Sequence, residues 1–367
     1  MCSSRDVLVS SAEPVAAIAP EPGAKFREEI REQPHALLRL LERESEFARV
    51  GAEMRARGAA TIRMVGHGSS DNAASYGVYA FGLLPGWTAL RDSISLTVYY
   101  GAQLDMSGCT ALALSQSGRT PDVVEYARRA KSRGAYVVAI TNDPSSELAD
   151  VADAVLELRA GPELAVAATK TYTNQLAALG LLAAHTTADG AVFGDEVRAV
   201  AAAMPQLILS LESRIANVAL PFAYAGRMFV VGRGAEFATA REIALKLLET
   251  CRIAAEPLTA TDLAHGPIAA IDSLFPVWAI ASDDATLPAV VEAVERAREA
   301  GATVVASGNA ADAIPGADYV LPSPPASPLL APLLSIIPGQ LFAGALARAR
   351  GLDPDTPRGL SKVTLAR

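Results

Sequence analysis

The sequence predicts an α/β protein made of two doubly wound parallel sheets in tandem, each unit a three-layer α/β/α sandwich. Two observations carry this expectation. Short apolar runs rich in β-branched residues alternate with longer segments of helical periodicity, the pattern of parallel sheets that bind ligands at their strand C-termini. A strand, glycine turn and helix also occur twice, at Gly66-His67-Gly68 and at Gly232-Arg233-Gly234, which suggests an internal duplication. A length of 367 residues suits two domains. The expected division is a flexible N-terminal tail over 1–24, a first unit with N-terminal helices over 25–205, a second unit over 206–348, and a C-terminal tail over 349–367.

The elements follow in order. Lys25 to about Arg57 reads as one or two helices, broken near Pro34. Thr61–Val65 is a short buried strand that runs into the first glycine turn and a helix reaching Phe81. Ile94–Tyr100, rich in β-branched and aromatic residues, is a strand candidate. Leu112–Ser115, Tyr136–Thr141 and Ala154–Leu158 complete five strands. Tyr172–His185 is a long helix, and Glu196–Arg214 is helical with an interruption or kink at Pro205. The second half opens with a strand at Met228–Val231 and a helix at Glu236–Cys251. Strands at Val277–Ile280, Thr303–Ser307 and Tyr319–Leu321 follow, with helices at Leu287–Ala300 and around Leu333–Arg348.

Composition excludes several functions. The chain is 51% hydrophobic and 20% charged, enough for a large core. A net charge of −8 and a pI near 5.2 argue against a nucleic-acid partner. No apolar run is long enough to span a bilayer, so no membrane partner is expected. Cys2, Cys109 and Cys251 are scattered, without CxxC or zinc spacing, and suit a reducing, cytoplasmic location. Residues 1–23 lack the pattern of a signal peptide.

The stretch Ser115-Gln116-Ser117-Gly118-Arg119-Thr120 lies between an apolar strand and a helix. Hydroxyls and freed backbone amides at a helix start form an anion site, and glycine allows close approach. The turn has no lysine and no Walker pattern, so a phosphate monoester fits better than a nucleoside triphosphate. The bland alternative is an ordinary Ser/Thr helix cap. On the helix Glu236–Cys251, Glu242, Lys246 and Glu249 share one face. They are either a solvated stripe or a carboxylate and lysine suited to proton transfer beside a carbonyl. His265, ahead of Gly266-Pro267, is an acid/base candidate at a tight turn. His67 sits inside the first glycine turn and can be read as filling a helix entry. Nothing in its spacing marks Lys362.

Together these pieces resemble the tandem sugar isomerase (SIS) domain family. They look like the isomerase half of glucosamine-6-phosphate synthase and still more like the stand-alone SIS-type glucosamine-6-phosphate deaminases. The resemblance rests on Glu29-Ile30-Arg31-Glu32-Gln33-Pro34, Gly68-Ser69-Ser70-Asp71, Ser115 to Thr120 and Ala167-Ala168-Thr169-Lys170. It also rests on Glu242 to Leu247, His265-Gly266-Pro267 and Gly359 to Thr364. It implies that Gly68, Ser69, Ser70, Ser115, Gln116, Ser117 and Thr120 surround the sugar phosphate and that Val166 lines the sugar through its backbone. Glu249 matches the base that moves a proton between C1 and C2. His265 matches a ring-opening residue that reaches in from the other subunit of a homodimer. Lys362 matches a Schiff-base lysine on a catalytic C-terminal tail, and Glu242 and Lys246 match charged neighbours of the base. Ala168 departs from the serine common in the synthase but suits the deaminase-like pattern. Leu248 stands where a lysine is frequent.

The implied substrates are a hexosamine 6-phosphate or fructose 6-phosphate, with no metal or organic cofactor. The expected reaction is deaminating isomerisation of glucosamine 6-phosphate. Dehydration or isomerisation of a related N-acetylhexosamine phosphate is the enzymatic alternative, and a non-catalytic sugar-phosphate sensor is the other. Cys2 echoes the nucleophile of a glutaminase domain. The short stretch ahead of the first unit is too small for such a domain, so glutamine-dependent synthesis is not expected.

Overall fold

The structure, a computed structural model, describes residues 21–58 and 60–362. Cys2, Val363 and Thr364 lie outside the described residues, as does the expected tail as far as residue 20. Two helices come first, α1 (Ala24–Leu41) and α2 (Glu44–Ala56). The first α/β unit contains β1 (Thr61–Val65), α3 (Ser69–Leu83), β2 (Thr88–Arg91), β3 (Cys109–Leu114), α4 (Pro121–Ser132), β4 (Tyr136–Thr141), α5 (Glu147–Val151) and β5 (Ala154–Glu157). Helices α6 (Lys170–His185), α7 (Gly190–Glu212) and α8 (Ile215–Ala219) lead to the second. That unit contains β6 (Arg227–Gly232), α9 (Glu236–Cys251), β7 (Ala254–Thr259), α10 (Ala260–Ala264), β8 (Pro276–Ile280), α11 (Leu287–Glu299), β9 (Thr303–Gly308), β10 (Tyr319–Pro322) and α12 (Ala331–Ala349).

Each sheet has five parallel strands, ordered β2-β1-β3-β4-β5 and β7-β6-β8-β9-β10. The identical order supports the duplication read from the glycine turns. Side chains alternate across each sheet. In β3, Leu112 and Leu114 enter a core shared by both units, whereas Ala111 and Ala113 face an outer core under α4. In β8, Trp278 and Ile280 enter the shared core, and Val277 and Ala279 face an outer core under α11. Helix α3 packs on α6 as α9 packs on α12, and α3 meets α9 where the units join. Among the described residues no helix is long and apolar enough to cross a membrane.

Three expectations need correction. Ile94–Tyr100 is not a strand; Ser95–Tyr99 forms one π-helical turn. Ser93 Oγ accepts the Leu96 amide at 3.2 Å, and Arg129 donates to the Thr97 and Val98 carbonyls at 2.8 Å each. Local capping thus overrides β-propensity, and β2 takes the edge position. Pro34 does not break α1, which continues to Leu41. A proline leaves the carbonyl four residues back without its donor, and Gln33 Nε2 supplies one, 3.0 Å from the Ile30 oxygen. The break falls instead between Leu41 and Glu44. Pro205 likewise lies inside an uninterrupted α7. Strand β7 escaped the sequence pattern because it contains Pro257, which a sheet tolerates at an edge.

Candidate active site

The turn between β3 and α4 leaves its hydroxyls available. Thr120 occupies the N-cap position of α4, yet its side chain makes no capping bond. Its hydroxyl lies 3.0 Å from Ser115 Oγ, which also accepts the Gly118 amide at 3.1 Å. Pro121 at the first helical position leaves the next amides without intrahelical acceptors. Gly118 has φ 63°, and a Cβ there would stand 1.9 Å from Ser146 Oγ, so only glycine closes this turn. The ordinary-cap reading therefore fails for Thr120, and the turn has the chemistry of an anion site.

The turn between β1 and α3 faces it. Gly68, Ser69 and Ser70 line one cleft of about 510 Å³ together with Ser115, Gln116, Ser117 and Thr120. Gln175 of α6 donates to Ser70 Oγ at 2.9 Å. His67 also lines the cleft, with Nε2 2.8 Å from Asp122 Oδ2. A larger cleft of about 740 Å³ lies beside the β3–α4 turn. Most of its charged residues pair with one another or with near neighbours, Arg128 with Glu125 and Glu147, and Arg119 with Asp143.

Val166, Glu163 and Lys362 form another wall of the smaller cleft. Lys362 Nζ donates to Glu163 Oε2 at 2.6 Å and to the Ala165 carbonyl at 2.8 Å. Glu163 also accepts the Thr169 amide at 2.9 Å, the Thr171 amide at 3.1 Å and the Thr171 hydroxyl at 2.7 Å. Burial opposes its charge, but Lys362 and the Thr169 and Thr171 donors outweigh burial and hold its pKa below the usual range. Behind the same loop, Glu29 accepts the Leu164 and Ala165 amides. Burial pushes Glu29 up to about 7. The Val166 amide donates to the Asp355 carbonyl at 3.1 Å, and the Asp355 carboxylate caps the Lys25 and Phe26 amides at the start of α1. Segments from both ends of the described chain thus fix one loop.

Helix α9 carries the charged face. Glu242 and Lys246 have fully buried side chains, which excludes the solvated stripe. Lys246 Nζ lies 3.3 Å from Glu242 and 2.6 Å from Glu249. Burial works against the ammonium, but the two carboxylates outweigh it and raise its pKa. Burial likewise raises Glu242, which accepts Ser69 Oγ and Asn72 Nδ2 at 2.8 Å each. Ser69 therefore links the α9 charges to the anion cleft.

Glu249 opens into a third cleft, of about 470 Å³, with Leu245 and Leu360, beside the one that holds the anion turn. The clefts adjoin where Gly68 meets Leu245, since a methyl built on Gly68 would stand 3.8 Å from the leucine side chain. Leu248, where a lysine was expected, is exposed. His265 is exposed at the end of α10, ahead of Gly266 with φ 135°, and lines neither cleft. The structure therefore gathers the phosphate-turn residues with Val166 and Lys362, and sets Glu242 and Lys246 directly behind Ser69, with Glu249 on the far side of Lys246 in the neighbouring cleft. Glu163 and Glu29 were not singled out from the sequence. An acid shortly ahead of a helix start was the available signal for Glu163. Glu29 opens a motif that carries the resemblance, but its partners are amides 135 residues away, so its local sequence assigns it no role.

A sequence profile of the SIS domain matches residues 57–185 and again 222–349. Glutamine–fructose-6-phosphate aminotransferase [isomerizing] of Pyrococcus horikoshii is 35% identical over 310 residues, covering 82% of this chain and 51% of that protein. The chain thus spans about half the length of the curated relatives it matches. A structure from Silicibacter pomeroyi that carries a provisional phosphosugar-isomerase name is 36% identical, with TM-score 0.80, covering 90% of this chain and 99% of that one. The C-terminal domain of glucosamine-fructose-6-phosphate aminotransferase from Francisella tularensis is 26% identical, with TM-score 0.85, covering 93% and 100%.

Proposed function

The chain belongs to the SIS-domain family, and from that premise we propose that it is an enzyme converting glucosamine 6-phosphate and water to fructose 6-phosphate and ammonia. The observation that carries this reading is one cleft with a hydroxyl-lined anion turn on one side and the Lys362 amine on another. A phosphate fixed at Ser115–Thr120 would direct the carbon chain towards Lys362. In the open-chain sugar the proton on C2 lies beside a carbonyl. Glu249 takes that proton and returns it to C1, which converts the 2-amino aldose into a 2-imino sugar. The Lys246 ammonium stabilises the charge on the C1 oxygen of the aminoenolate that develops on the way. Lys362 exchanges with the imine nitrogen and releases ammonia, and water then hydrolyses the lysine imine to the ketose. His265, exposed in the single chain, serves ring opening in the neighbouring copy of a homodimer.

Relatives named as aminotransferases, and a similar structure named for phosphosugar isomerisation, support chemistry at C1 and C2 of a sugar phosphate. The test is product analysis by NMR, with glucosamine 6-phosphate and its N-acetyl form supplied separately. Fructose 6-phosphate and ammonia from the free amine alone are the expected products. Turnover of the N-acetyl form with loss of the C3 hydroxyl would replace deamination by dehydration. Binding without turnover of either would leave a sensor.

A further inference from the structure

The Lys362 ammonium is held by a cation site that the chain itself builds. Its acceptors are Glu163 Oε2 at 2.6 Å and the Ala165 carbonyl at 2.8 Å. Glu163 is buried and its other bonds are fixed by Thr169 and Thr171 at the start of α6. The site therefore keeps its shape when its cation leaves. Its cation is the accessible partner, because Lys362 is partly exposed and sits on a segment whose preceding residues, Arg358 to Ser361, are exposed. Both Glu163 and Lys362 line the cleft that holds the anion turn.

We propose that Glu163 and the Ala165 carbonyl form the subsite for the substrate's 2-ammonium group, which displaces Lys362 and so selects a free amino sugar over its hydroxy and N-acyl counterparts. This rests on the reading of the cleft as a sugar-phosphate site. An ionised, buried carboxylate bonds strongly to an incoming ammonium. A hydroxyl offers it a weaker bond. An N-acyl group offers no charge and adds bulk where the loop amides are already taken by Glu29 and Asp355. The exchange also frees Lys362 at the moment a carbon electrophile arrives beside it. Three further ionisable groups lie near the site. Glu29 faces the loop from α1, and Lys170 donates to the Pro162 carbonyl at 2.6 Å while paired with Glu32. Glu29 can take up the additional positive charge by ionising.

The test uses two unreactive open-chain probes, glucitol 6-phosphate and 2-amino-2-deoxyglucitol 6-phosphate, titrated calorimetrically into the intact protein. The wild type should bind the amino probe about 10- to 100-fold more tightly, as expected for a hydrogen bond between charged groups. In Glu163→Gln the preference of the amino probe over glucitol 6-phosphate should fall to within about 3-fold. An undiminished preference in the variant would overturn the subsite. A wild-type measurement guards against a folding failure: the N-acetylated amino probe should lose the advantage, and binding as tight as the free amine would also overturn the proposal. The reaction is tested separately by product analysis, so a failure there leaves this binding result to stand or fall by itself.

Discussion

Ser70 is the fifth residue after Val65, and Glu236 is the fifth after Val231. Thr120 is the seventh after Ala113, and Thr286 the seventh after Ala279. Val65 pairs with Ala113 in the first sheet as Val231 pairs with Ala279 in the second. The same places in the two halves are therefore filled by different chemistry. In the first half the Ser115 and Thr120 hydroxyls meet each other and face an open cleft. In the second, the buried Glu236 carboxyl accepts the hydroxyls of Thr239 at 2.6 Å and of Ser282 and Ser335 at 2.8 Å. Asp284 accepts both the amide and the hydroxyl of Thr286, at 2.7 and 2.6 Å. Carboxyl groups of the chain thus take the donors that the first half leaves for a ligand. One duplicated frame yields one anion pocket, and the second half contributes charge through α9 instead.

If the halves have divided their labour in this way, the largest effect belongs to the charged helix. Glu249→Gln keeps size and hydrogen bonding but cannot accept a proton. It should retain substrate affinity, lose turnover by a factor of about 10²–10⁴, and stop exchange of the C2 hydrogen with deuterated solvent. Wild-type turnover and exchange in this variant would return Glu249 to the status of a surface charge. Next comes the filled pocket. Glu236→Ala removes the acceptor of three buried hydroxyls and should cost about 3 kcal/mol of stability in urea unfolding, with Glu236→Gln costing about 1. An alanine variant as stable as the wild type would mean that the carboxyl holds nothing in place.

The two turns can then be set against each other directly. Ser117→Ala and Thr120→Ala should each weaken an unreactive 6-phosphate analogue by about 1–3 kcal/mol. Thr286→Ala should leave both the affinity and a stoichiometry of one ligand per chain unchanged. Weakened binding in the Thr286 variant, or two ligands per chain, would break the comparison.

A pH-dependent effect lies in the loop behind the open cleft. Burial raises Glu29 to about 7, so between its ordinary range and that value the folded chain keeps a proton that the unfolded chain has released. Its contribution to stability is therefore full below about pH 4.5 and is lost as pH rises through 7. Glu29→Gln stays neutral throughout. Relative to the wild type it should gain about 2 kcal/mol between pH 5 and pH 8, read from urea midpoints across that range. A pH-independent difference would mean that Glu29 ionises alike in both states.

The sequence by itself determined the strand, turn and helix order, because apolar periodicity and glycine turns act over a few residues. Thr61–Val65, Tyr136–Thr141 and Glu236–Cys251 appear in the structure with the bounds read from their patterns. The anion turn was legible for the same reason, since Ser115 to Thr120 are neighbours in the chain. Tertiary structure decided the rest, because its causes are contacts between remote segments. Arg129 turned Ile94–Tyr100 from a strand into a helical turn. The meeting of α3 with α9 buried Glu242 and Lys246, whose spacing alone equally fits a solvated stripe. The same physics separates the two glycine turns. Both follow a strand and open a helix, but donors brought in from the turn after β8 and from α12 decide that the second encloses the chain's own carboxyl.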